Sequence, residues 1–124
     1  MQRNIIYAPL QWNDITAQTT VTKSGALYDL KNNVYYTNIA VKNSGNMPLT
    51  GPVRMVIFNS SIPVKADLSV GMKPDGYTST GDPYFIIVPQ SGTLVTGNSL
   101  CNLRVNFYLQ RVALAYAVRI EQLE

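Results

Sequence analysis

From residue 15 onward, apolar and polar positions alternate along this chain in short bursts separated by turn-forming residues. The strongest burst is VYYTNIAVKN, beginning at Val34. There Tyr35, Thr37, Ile39 and Val41 fall on one face, and Tyr36, Asn38 and Lys42 on the other, the period-two pattern of a half-buried strand. A polar-rich strand is expected over Ile15 to Lys23, interrupted at Ser24-Gly25 and continued by ALYD to a turn at Lys31-Asn32-Asn33. After Val41 the pattern stops. Asn43, Ser44, Gly45 and Asn46 accept turn conformations, and Pro48 and Pro52 lack the N–H that a ladder needs, so pairing should resume only at Val53. Val53, Met55 and Ile57 then point inward and Arg54 outward. This turn chemistry redirects the chain from one sheet to its partner.

The second half repeats the theme. Residues 59–82 form a long irregular region with a weak strand near Ala66 to Val70. PYFIIV, bounded by Pro83 and Pro89, reads as a short apolar strand, and QSGTLVTGNS as a turn with Leu94 free to plug the core. LCNLRVNFYL alternates with Cys101, Leu103, Val105 and Phe107 on the apolar face. VALAYAVRIE keeps Leu114, Tyr116, Val118 and Ile120 on one face, and its β-branched and aromatic residues favour a strand over a helix. About seven strands with frequent turns and no convincing helix describe an all-β fold, an immunoglobulin-like antiparallel β-sandwich. A closed barrel is the alternative, less suited to so long an irregular region. Residues 1–14 read as an extended lead-in or linker, with Trp12 a candidate brace against the sandwich edge, and 15–122 as the domain. Leu123-Glu124 reads as an expression-tag scar and Met1 as an added start codon, so the segment is expected to be cut from a longer protein.

Several motifs in this order resemble a bacterial family of immunoglobulin-like (fibronectin type III-like) modules. Asn43, Ser44 and Gly45 lead to Leu49, Gly51 and Pro52, and the turn Gly92, Leu94, Gly97, Ser99 precedes a strand ending in Val105 and Phe107. The similarity spans roughly residues 18 to 121; LQRVAL at 109–114 departs from it, where such modules often carry Asn-Pro. The resemblance implies a non-catalytic accessory module of an exported or cell-surface protein. Its expected work is spacing, presenting neighbouring domains, or adhering to a cell-surface glycan or protein. The matched residues are turn formers and core positions, so no active site is carried over.

Composition narrows the chemistry. The 124 residues suffice for one core, and the net charge of +3 comes from ten cations scattered singly, which read as dispersed solubilising charge. A nucleic-acid partner would call for a basic patch, and a membrane span for roughly 20 apolar residues in a row; neither is present, so neither partner is expected. Cys101 is the one cysteine and no histidine exists. That rules out a Ser-His-Asp triad, a Cys-His pair and any histidine-based zinc site. The alternation makes Cys101 an inert buried thiol. Asp67, Asp75 and Asp82 share the irregular region, but turn formation accounts for them better than a calcium loop, and the chain calls for no cofactor and no metal. The remaining candidates are aromatic rings at outward or loop positions: Trp12, Tyr36, Tyr77, Tyr84 and Tyr108. They suit a structural surface or contact with a neighbouring domain. Alternatively, three of them coplanar on one face would make a carbohydrate platform.

Overall fold

Every strand of five or more residues falls where the alternation places one. The computed structural model describes residues 11–124, in which eleven strands build two main antiparallel sheets. They are β1 (Trp12–Asp14), β2 (Thr19–Lys23), β3 (Leu27–Asp29), β4 (Val34–Asn43), β5 (Leu49–Thr50) and β6 (Val53–Phe58), followed by β7 (Gly76–Tyr77), β8 (Pro83–Val88), β9 (Thr93–Leu94), β10 (Ser99–Tyr108) and β11 (Ala117–Leu123). The first sheet runs β1-β11-β6-β8-β7. The second runs β10-β4-β2, with β3 also pairing to β4, and β5 and β9 pair separately. The excess over the expected seven lies in pieces of two or three residues, too short to show a period. The fold is an open antiparallel sandwich. Residues 1–10, including Met1, lie outside the described residues.

The core is the sum of the two inner faces. Ile39 and Val41 of β4 and Val105 and Phe107 of β10 meet Val53, Met55 and Ile57 of β6, Phe85 of β8 and Ile120 of β11, all buried. Burial on that scale is the main favourable term in folding. Asn43, also buried, joins the loops at one end. Its side-chain amide donates to Met47 O (2.8 Å) and Leu94 O (2.9 Å), and its Oδ1 accepts from Gly45 N (3.1 Å). Its main chain bonds to Asn98 and Gly97. The crossover from β4 in one sheet to β6 in the other is thus built around a fully partnered asparagine, while β5 and β9 plug Leu49 and Leu94 into the core.

Two edges are protected differently. Residues 63–72 run along the free side of β10: Tyr108 N donates to Pro63 O (3.1 Å), Lys65 N to Asn106 O (2.9 Å) and Met72 N to Arg104 O (2.9 Å). An unpaired edge of this length is a template for aggregation, so much of the long region covers it. No strand forms at Ala66 to Val70; the segment makes single bonds to β10, a bridge at Val64 and, later, β7. At the opposite edge, Lys23 of β2 donates to Tyr116 O (2.9 Å) and lies 4.6 Å from the Tyr116 ring centre, a charge directed over the sandwich's open side.

Three expectations need correction. The strand foreseen over 15–23 begins only at Thr19, because Thr16–Gln18 form a turn of 3-10 helix after buried Ile15. The last three residues of the expected lead-in are a strand of the domain, and Leu123 also belongs to a strand, paired with Trp12. Cys101 is exposed, not buried. The β10 ladder steps from Leu100↔Val41 to Leu103↔Ile39, so one extra residue bulges there, with Asn102 at φ 57°. The bulge turns Leu100 to the core and Cys101 out, and Leu103 is only half-buried. The larger apolar side chain, half-buried Leu100, is the one that packs against the core.

Truncating the fully buried Phe107 to Ala should lower the unfolding free energy by about 3–5 kcal/mol in urea titrations. A loss under about 1 kcal/mol would contradict this packing.

Candidate functional site

The five rings singled out from sequence do not assemble on one face. Trp12 and Tyr84 lie on the outer face of the first sheet, with ring centres 6.4 Å apart and planes 41° apart. Arg54 explains their position. Its guanidinium carbon sits 4.1 Å from the Trp12 ring centre and 4.6 Å from that of Tyr84. Its Nε donates to Glu121 Oε1 at 2.7 Å, and the other carboxylate oxygen accepts from Arg119 Nε at 2.8 Å. Arg119 in turn covers the Phe58 ring at 5.0 Å. Beneath these side chains Val56 is completely buried although it faces outward, so the cations seal the face with their stems. Gly76 makes room for Tyr84: a Cβ there would stand 2.5 Å from the phenol oxygen.

Tyr36 belongs to the other sheet's outer face and carries a second arginine. Arg104 lies 3.9 Å from the Tyr36 ring centre, donates to Asp29 Oδ2 at 2.6 Å and to Asn106 Oδ1 at 2.8 Å. The Asn106 amide passes the connection on to Val70 O (2.8 Å), fastening the long region to the sheet. The Asn32 side-chain and backbone N–H groups and the Arg104 guanidinium hold the Asp29 carboxyl far below the ordinary carboxylate range. Tyr108, exposed at the end of β10, has Lys65 Nζ at 4.7 Å, and Lys65 pairs with Asp67 (2.9 Å).

Tyr77 stands apart. It is 60% exposed and borders a cleft of about 270 Å³, with Phe58, Asn59, Ser60, Pro63 and Asp82 among its walls. A shallower groove crosses the second sheet at Ala40, Cys101 and Asn102. The three aspartates of the long region serve separate ends. Asp67 meets Lys65, Asp75 Oδ2 accepts from Ile86 N (2.7 Å), and Asp82 Oδ2 accepts from the Thr80 hydroxyl (2.7 Å). Among the described residues no three Cys, Asp or Glu side chains gather as a metal site would require. No helix of the described residues is long and apolar enough to cross a membrane.

Sequence reasoning identified the rings and missed their partners. Arg54, Arg104 and Arg119 look like scattered solubilising charge in one dimension. The available signal is that each is an arginine at an outward strand position. Only the register shows which aromatic or carboxylate lies beside it.

No family model matches this chain, and no curated protein or solved structure matches it either.

The depressed Asp29 pKa makes a pH prediction. A carboxylate whose folded pKa lies below its unfolded value of 3.8 adds stability above that value and loses it as pH falls toward the folded one. Stability of the native chain should therefore decline as pH drops below about 4, and Asp29→Asn should flatten this decline in urea titrations between pH 5 and 2. An equal pH slope in both proteins would contradict the assignment.

Proposed function

We propose that this chain is a non-catalytic interaction module of a longer, exported bacterial protein, with the two borders of its described fold, residues 11 and 124, side by side at one corner. One observation carries the choice between presenting a surface and spacing two neighbours. β1 and β11 are antiparallel with Trp12 opposite Leu123, and Glu124 N donates to Gln11 O at 3.0 Å. A spacer separates its neighbours only when the chain comes in at one pole and leaves at the other. The ten-residue strands β4 and β10 make the sandwich about 33 Å long, and none of that length lies between residues 11 and 124. The module therefore hangs from its attachment and offers its faces and far loops to a partner.

Support for a non-catalytic role comes from the side chains. Histidine is missing from the sequence, which removes imidazole chemistry. The arginines and most of the carboxylates near the rings are committed to one another. The exported bacterial setting and the immunoglobulin-like kinship rest on the Asn43 to Pro52 and Gly92 to Phe107 motifs. The dispersal of the rings over both sheets, with Arg54 and Arg104 stacked on three of them, favours contact with neighbouring domains over a flat sugar platform.

The test is a distance. In a Cys101→Ser background, spin labels at Gln11→Cys and Glu124→Cys should give an electron–electron separation below roughly 20 Å, label linkers included. A separation near the roughly 33 Å length of the long strands would mean opposite poles and restore the spacer reading.

A further inference from the structure

The cleft beside Tyr77 joins an open aromatic face to polar groups that no other described residue engages. Its floor and walls combine Phe58, Pro63 and Pro83 with Asn59, Ser60 and Asp82. Ser60 Oγ gives its proton to Ile62 O, and Asp82 Oδ2 accepts from Thr80 and Thr78. Asp82 Oδ1, the Asn59 amide and the Tyr77 hydroxyl have no hydrogen bond to any described residue. Asn59 is held at φ 52°, where asparagine is tolerated and most side chains are not. A carboxylate acceptor, an amide that both donates and accepts, and one exposed ring are thus gathered around about 270 Å³.

We propose that this cleft binds the terminal residue of a neutral saccharide, the Tyr77 ring stacking on the sugar face and Asn59 and Asp82 bonding its hydroxyls. Three features select that class. The Asp82 carboxylate disfavours anions. The Phe58 ring is already covered by Arg119, so two free rings for an aromatic cation cage are lacking. The volume falls just short of the range occupied by drug-sized ligands, which suits a chain end rather than a chain lying lengthwise. The site differs from a flat multi-ring platform, which the dispersed Trp12, Tyr36 and Tyr84 do not form. It deepens the interaction-module reading by naming a ligand class, while the separation of residues 11 and 124 tests the mounting without reference to any sugar.

A single stacked ring with few hydrogen bonds corresponds to a dissociation constant on the order of 1 mM. The experiment is an amide-resolved NMR titration of the whole chain with the methyl glycosides of glucose, galactose, mannose and N-acetylglucosamine, and separately with choline. The expected result is saturable shifts at residues 58–60, 77, 81 and 82 with at least one glycoside and none with choline. Tyr77→Ala should remove them and Tyr84→Ala preserve them. Asn59→Gly, which keeps the positive φ, should weaken binding at least threefold. Retained spectra elsewhere show that each variant is folded. Saturation by choline alone, shifts centred on Trp12 and Tyr84, binding that survives Tyr77→Ala, or no saturable shift by roughly 50 mM glycoside would each overturn the proposal.

Discussion

One guanidinium holds the first sheet together across four strands. Arg54 on β6 lies against Trp12 of β1 and Tyr84 of β8, and bonds to Glu121 of β11. The ladder pairs β1 through three residues only, too few to hold an edge strand firmly by main-chain bonds. The aromatic contact to Arg54 supplies what the short ladder lacks. Glu121 is almost fully buried, and a carboxylate so placed is costly unless paired; Arg54 and Arg119 each take one of its oxygens. The same contacts keep the beginning of the domain beside its end. The closeness of residues 11 and 124 therefore depends on one residue's placement.

The second sheet repeats the device with other partners. Arg104 stacks on Tyr36, pairs with Asp29 and, through Asn106, holds the chain near Val70. Each outer face thus places an arginine over an aromatic ring. Such rings have at least one face occupied and make poor platforms for a ligand, which moves attention to Tyr77, whose ring carries no cation from the described residues. The long region between β6 and β8 has two roles along its length. Residues 63–72 protect the β10 edge, and Tyr77, Gly81 and Asp82 border the cleft.

Much of the fold is legible in the sequence because the sandwich core demands period-two alternation, and Val34 to Lys42 and Val53 to Ile57 supply it. The turn at Asn43 is readable for its residue types, though its bonds to Met47 and Leu94 depend on a loop far along the chain. Cys101 defeats the pattern because a bulge shifts the parity by one residue, and with Leu100 and Cys101 both apolar the sequence does not mark which of them turns inward. The two-residue strands carry too few positions for any period. Of the site, the exposed ring of Tyr77 is legible; Asn59 and Asp82 are not, since they lie far apart in sequence and meet only where β6 ends and β8 begins. The arginine partners are hidden for the same reason: cross-strand register is a property of the folded chain.

The dependence of β1 on Arg54 is open to a direct measurement by native-state hydrogen exchange. Arg54→Met keeps an apolar stem and removes the charge, the stacking and the bond to Glu121. The account predicts that amide protection of Asn13 and Ile15 falls at least tenfold in the variant, about 1.4 kcal/mol of local opening, while protection in β4 and β10 falls by less. Unchanged protection at Asn13 and Ile15, or a uniform loss throughout both sheets, would contradict it.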